Sequence, residues 1–344
     1  MHELPPAVYY TCSYVPPEVI WAAGCRPVRL LPSAPAPGEC DAFLPRDFCP
    51  YVRAAFWDLH RRAPPAAAVV LPTCCDPMRR LADVLRQHSP HVPCFLLDLP
   101  RTRGKREEEY LAGRLEEILA ALRALPGAVP PEGGLAEASR LFAEVRHLLH
   151  RVARTASAPA VHRLIRQVHA ADPRQAVASL LARETTASGP TADARPRVLV
   201  VTSHPVDPGV LEVIEQAGAR VVAEDSCLGD RLLTIPPGGS TPRELAAAYL
   251  GRPPCPRMEL PEERLAYLED VARARGAQGI IFLALKYCDN LGYDFPWVRE
   301  RSALPVLFLE SDYGISASGQ LLTRVQAFVE TLPLPAGPPG PGPE

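Results

Sequence analysis

No Cys-x-x-Cys pair occurs in the 344 residues, although the chain carries ten cysteines. That absence removes the common zinc-ribbon and zinc-finger spacings, the thioredoxin motif and the bacterial ferredoxin run. No GxxxxGK[ST] is present, and Gly104-Lys105 lacks the upstream glycines of a phosphate loop. No GxGxxG follows the first strands, so nicotinamide binding by its common fingerprint is not expected. An ATP-driven step would belong to another polypeptide. An excess of one charge is missing too. The net charge of −2 offers no electrostatic case for nucleic acid or an anionic membrane surface. The longest apolar runs, such as Ile280 to Leu285, suit buried strands and not a membrane span. The opening MHELPPAVYY holds a Glu and two prolines in place of a secretory apolar region. The expected compartment is the cytoplasm.

The length suits two α/β domains, and 47% hydrophobic residues suffice for sizeable cores. Val15-Pro16-Pro17-Glu18 opens a helix through Trp21 that stops at Gly24, a natural C-terminal cap. Val28–Leu31 reads as a strand, Tyr51–Arg61 as a helix after Pro50, and Ala67–Leu71 as a β-branched strand. A turn, Pro72-Thr73-Cys74-Cys75-Asp76, leads into a helix from Pro77 to Gln87, and Pro93–Leu99 is another strand. Such alternation predicts a parallel sheet with right-handed crossovers. Leu111, Leu115, Ile118, Leu119 and Leu122 keep a helical period, and a second helix covers Leu135–Ala153. Thr185–Arg195 is small and polar, a linker. The alternation then resumes: strands at Arg197–Thr202, Arg220–Ala223, Gly279–Leu285 and Pro305–Glu310, and helices at Val210–Ala217, Arg264–Arg275 and Gln320–Glu330. Beyond Leu332 the Pro/Gly tail is expected to be disordered. The expected architecture is α/β: two Rossmann-like parallel-sheet domains, 1–106 and 193–332, joined by a helical segment and linker, 107–192, with a tail from 333 to 344.

In a reducing compartment ten cysteines do not form a disulfide framework. They are buried apolar residues, a catalytic thiol, or ligands brought together from distant loops. Ligands collect at the carboxyl ends of parallel strands. Cys75, Cys227 and Cys288 each follow a strand, and Cys49 precedes a helix in Phe48-Cys49-Pro50-Tyr51. A helix N-terminus stabilises a thiolate and favours metal ligation. A single cysteine is more often a small buried hydrophobe. Cys25, Cys40 and Cys94 are read that way. Position alone leaves both readings open for Cys49, Cys75 and Cys288.

Several segments, in order along the chain, resemble the 2-hydroxyacyl-CoA dehydratase family. They are Tyr10-Thr11-Cys12-Ser13-Tyr14-Val15-Pro16-Pro17-Glu18, Phe48-Cys49-Pro50-Tyr51-Val52-Arg53 and Thr73-Cys74-Cys75-Asp76. Asp225-Ser226-Cys227-Leu228-Gly229-Asp230-Arg231, Pro254-Cys255-Pro256, Lys286-Tyr287-Cys288-Asp289 and Leu309-Glu310-Ser311-Asp312-Tyr313 continue the series. The resemblance implies two Rossmann-like domains with a [4Fe–4S] cluster between them, held by Cys49, Cys75 and Cys288. Cys75 is preferred to Cys74 because it directly precedes the matching Asp76. Cys12 is open between a fourth ligand, a neighbour of the cluster and a buried thiol. The implied reaction is radical dehydration of an acyl-CoA through a ketyl. It starts with one electron from a separate ATP-dependent iron–sulfur activator and runs in a heterodimer with a related subunit. A benzoyl-CoA reductase-like or double-cubane reductase subunit is the second reading. A non-catalytic, partner-binding or cluster-carrying relative is the third.

Glu18 and Glu310 are the candidate catalytic carboxylates, each set against a plainer role: a helix-dipole partner for Glu18 and a structural turn for Glu310. Asp312 and Tyr313 share Glu310's alternatives. Arg53 is open between an electrostatic partner of the cluster or a CoA phosphate and a surface role. His204 alone is weak evidence for catalysis.

Overall fold

The computed structural model describes residues 5–153, 156–184, 193–202, 207–236, 238–314 and 319–333. The Pro/Gly tail from 334, His204 and residues 185–192 of the expected linker lie outside these residues.

The first sheet contains β1 (Ala7–Tyr10), β2 (Arg26–Arg29), β3 (Ala68–Pro72) and β4 (Cys94–Leu97), all parallel, in the order β2-β1-β3-β4. Its helices are α1 (Pro17–Ala22), α2 (Pro50–Arg61) and α3 (Asp76–His88). The second sheet repeats the plan with β5 (Arg197–Val201), β6 (Arg220–Asp225), β7 (Gly279–Leu285) and β8 (Val306–Ser311), in the order β6-β5-β7-β8. Between them lie α4 (Lys105–Arg123), α5 (Gly134–Ala153), α6 (Ala158–Ala170) and α7 (Pro173–Glu184). The C-terminal part adds α8 (Pro208–Gln216), α9 (Asp230–Leu233), α10 (Pro242–Gly251), α11 (Pro261–Arg275), α12 (Asp289–Arg301) and α13 (Gly319–Val329). The expected α/β class and two parallel-sheet halves are what the structure has.

Pairing explains the sequence patterns. β3 and β7 are buried along their whole lengths, as central parallel strands covered on both faces must be. Gly24 closes the loop after α1 at φ 83°, and a Cβ there would strike the Val129 backbone. β1 is not anticipated from the sequence, although it is central to its sheet. Four residues between Pro6 and the cysteine motif carry too little period to stand out.

The halves are joined by buried polar contacts. Glu18 of α1 accepts from Arg146 of α5 at 2.7 Å and from the Tyr249 hydroxyl of α10 at 2.6 Å. Arg252 donates to the Ser13 carbonyl at 2.8 Å, and the Tyr313 hydroxyl donates to the Pro32 carbonyl at 2.7 Å. At the end of β6, Asp225 lies 2.6 Å from both Arg231 and Arg264, and Arg264 also reaches Asp294 at 2.9 Å. All four side chains are buried.

Both kinds of buried charge are open to measurement. Asp225→Ala leaves buried Arg231 without a carboxylate and Arg264 with Asp294 alone, and should cost about 3–5 kcal/mol in urea unfolding; a loss within experimental error would contradict the network. Asp230 is a separate case. Burial raises its pKa from the usual carboxylate value to about 6, against the pull of Arg275. The folded state therefore binds a proton more tightly than the unfolded one. Its stabilising contribution is present in acid and is lost as pH rises from about 4 to about 6. Asp230→Asn should be more stable than the native chain at pH 7.5, with the gap closing below pH 4.

Candidate metal centre

Cys49, Cys75 and Cys288 occupy the same local position: each is the residue just before a helix, α2, α3 and α12 respectively. The first turn of a helix leaves backbone N–H groups without intrahelical partners, and its dipole favours negative charge. β3 delivers Cys75 and β7 delivers Cys288 at the carboxyl edges of their sheets, while Cys49 arrives by the loop after β2. Pro50 and Pro77 sit in first turns, where their missing N–H groups cost nothing. All three cysteines are outside any disulfide, half-buried and packed against one core that contains Leu285 and Tyr313 from the second half. Cys49 lies within electrostatic reach of both Cys75 and Cys288, and all three are set against this one core.

Burial pushes the Cys49 thiol up to about 12, opposed by the N–H groups of Val52 and Tyr51. A hydrogen bond from Cys74 holds Cys75 below the usual thiol value. A buried thiol of raised pKa keeps its proton until a cation replaces it, so metal binding here would release protons.

The run of sulfur continues. Cys74 hydrogen-bonds Cys75 and Cys12, and Cys12 also hydrogen-bonds Cys227. Those bonds lower Cys12 and raise its two partners. The backbone N–H of Tyr14 donates to Cys12 Sγ at 3.4 Å. Six cysteines thus form a chain, Cys288-Cys49-Cys75-Cys74-Cys12-Cys227, crossing from the second half through the first and back. Cys74 is not anticipated from the sequence. Its signal in the sequence is its place next to Cys75 in the turn after β3. Cys74 stands between Cys75 and Cys12 and links the two parts of the run.

Among the described residues, no three His, Cys, Asp or Glu side chains converge as a single ion requires. A mononuclear tetrahedral site holds its sulfurs within about 4 Å of one another, from a metal–sulfur bond of about 2.3 Å. Thiolates of a cubane cluster bind different irons and stand farther apart. The donor set fits a cluster: three soft ligands at helix N-termini, half-buried, with backbone N–H groups near the sulfurs.

Other candidates fall elsewhere. Glu18 is wholly buried and both its oxygens are engaged, so it does not line an open cleft. Arg53 is neither on the surface nor directed at an incoming phosphate. It clamps the preceding loop by donating to the Leu44 and Pro45 carbonyls and pairing with Asp41. Glu310 is exposed on β8, beside Ala284 of β7. Asp312 pairs with Lys286 at 2.9 Å, and Tyr313 is buried against Tyr51. Cys25 and Cys40 are buried thiols directed at the Leu122 and Arg53 carbonyls, while Cys94 is half-buried in its strand.

The sequence profile of the 2-hydroxyglutaryl-CoA dehydratase D-component matches residues 12–332, a span holding all six cysteines of the run. The chain belongs to that family. It is 22% identical to the (R)-phenyllactyl-CoA dehydratase beta subunit of Clostridium sporogenes, over 93% of this chain and 90% of that one. It is 23% identical to a benzoyl-CoA reductase subunit of Thauera aromatica, over 95% and 91%. It is 22% identical to the lactoyl-CoA dehydratase beta subunit of Anaerotignum propionicum, over 93% and 90%. Among the described residues, no helix is long and apolar enough to cross a membrane.

Tyr287, next to Cys288, has φ 62°, the one positive φ outside glycine among the described residues. A bulky side chain there is strained by about 1–3 kcal/mol. Lys286 N–H donates to Ser311 and Cys288 N–H to Leu285, which pins the turn on both sides. Tyr287→Gly should raise the urea midpoint, by about 1 kcal/mol of stability, and Tyr287→Val should lower it. The reverse order would show that the tyrosine ring, about half exposed, outweighs its backbone.

Proposed function

We propose that this chain is the cluster-bearing subunit of a 2-hydroxyacyl-CoA dehydratase. One observation carries the reading: three cysteines at helix N-termini, distant in sequence, line one core of a chain that the dehydratase family spans. When bound, a [4Fe–4S] cluster supplies a low-potential electron and an open coordination position. The overall change is redox-neutral. The 2-hydroxyl and a β-proton leave as water, and the single electron is borrowed and returned.

The residues have separable tasks. Cys49, Cys75 and Cys288 hold the group. The apolar packing around them, including Leu285 and the Tyr51–Tyr313 ring pair, keeps water and oxygen away. Glu310, exposed at the end of β8, is the carboxylate placed to exchange a proton with solvent. Glu18 acts through structure, fixing α1 against α5 and α10. The electron comes from a separate ATP-hydrolysing activator, because the chain has no phosphate loop. The relatives are themselves named as subunits, which supports a related second chain as partner. Ten cysteines outside any disulfide suit a reducing cytoplasm.

A second reading, a double-cubane-type low-potential reductase, is favoured by one observation. Cys74, Cys12 and Cys227 continue the sulfur run and supply three further soft donors.

Iron and sulfide analysis of anaerobically purified protein, with EPR after reduction, separates the readings. About four irons per chain, lost in Cys288→Ala and kept in Cys227→Ala, supports the dehydratase subunit. About eight, reduced by either substitution, supports the double-cubane reading. Iron-free protein under strict anaerobiosis contradicts both.

A further inference from the structure

Arg29 ends β2 with its side chain inside the protein, 4% exposed. Among the described residues no carboxylate pairs with it, and its Nε and Nη2 have no hydrogen-bond partner. The guanidinium lies by the Tyr10 ring, 5.4 Å from the centroid. A buried cation in that state calls for an anion.

The space for one is present. Arg29, Arg146 and His169 line a cavity of about 30 Å³, walled on its apolar side by Phe142 and Val145. Arg146 Nη2 and His169 Nε2 also lack partners. The Tyr10 hydroxyl meets His169 Nδ1 at 2.8 Å. Burial, with Arg29 and Arg146 nearby, pushes the His169 pKa down to about 3, so the ring is neutral. With Tyr10 donating to Nδ1, His169 Nε2 carries the hydrogen and is a third donor beside the two guanidiniums.

Charge and size narrow the ligand. Arg146 is compensated by Glu18, whose second oxygen takes the Tyr249 hydroxyl. Among the described residues Arg29 has no carboxylate partner and faces only thiol and phenol groups, among them Cys227, so it is the cation placed to meet a monoanion. A single water needs roughly 10–15 Å³, so the cavity takes about three non-hydrogen atoms. Phosphate and sulfate are too large and too highly charged. A planar carboxylate offers two oxygens to the fork of a guanidinium.

We propose that this cavity binds a small carboxylate of formate or acetate size, held by Arg29 with Arg146 and His169 donating to it. The site is built from β2, α5 and α6; Cys227 lies on its wall, but none of Cys49, Cys75 and Cys288 does, so it stands apart from the three proposed cluster ligands. It is too small for an acyl-CoA.

The test is the thermal midpoint of the full chain, purified anaerobically and titrated at constant ionic strength with sodium formate, acetate, hexanoate or chloride. Ligand that binds only the folded state raises the midpoint progressively with concentration. The expected result is a rise with formate and acetate and none with hexanoate or chloride. Arg29→Met should abolish the rise without lowering the ligand-free midpoint. Val145→Phe, which fills the cavity and keeps every charge, should abolish it too. A flat response in the native chain, or a rise that survives in Arg29→Met, overturns the site. An equal rise with chloride overturns the carboxylate assignment. If neither variant folds, the line width of carbon-13 formate against native protein decides, and an unbroadened, unshifted line overturns the proposal.

Discussion

Parallel pairing forces the crossover from each strand to begin at the carboxyl edge of its sheet, and the chemistry of this protein depends on that constraint. A residue just before such a helix is carried to that edge, where unpaired N–H groups and the helix dipole favour a thiolate. Cys49, Cys75 and Cys288 all occupy that position. Residues far apart in sequence meet because two sheets of the same strand order turn their carboxyl edges toward one another. The contact between Tyr313 and the loop after β2, and that between Arg252 and the Cys12 loop, keep those edges together.

Electrostatics divides the sulfur run into two neighbourhoods. Around Cys49 burial dominates and the thiol is driven toward its protonated form, ready to exchange a proton for a metal. Around Cys12 and Cys227 the run is flanked by buried cations, including Arg29, Arg231, Arg252 and Arg257. Arg231 is balanced by Asp225; Arg252 and Arg257 bond to backbone carbonyls. At that end the anionic form is favoured at Cys12, with Cys227 kept protonated as its hydrogen-bond donor. The contrast comes from which residues fill the loops, since both halves use the same scaffold.

Much of the fold was legible because its signals are local. Proline in the first turns of α1, α2 and α3, Gly24 after α1, and the apolar run of β7 each carry a physical reason visible in the sequence. β1, α10 and α12 were not legible in this way. β1 is too short to show a period, and Pro296 lies inside α12, a position that reads as a break. At the site, cysteines next to helix starts could be picked out, but position left them level with buried hydrophobes until the family motifs were added. The roles of Glu18 and Arg53 were not legible, because each is decided by partners distant in sequence or by loop carbonyls: Arg146 and Tyr249 for one, Leu44 and Pro45 for the other. Cys74 was hidden by its neighbour, since its contact with Cys12 is set by a loop distant in sequence.

The most direct test of the central claim is an iron-edge anomalous difference map from crystals of protein purified and grown without oxygen. The account predicts iron density bounded by the sulfurs of Cys49, Cys75 and Cys288. Density confined to Cys12, Cys74 and Cys227, or none between the two halves, would contradict it.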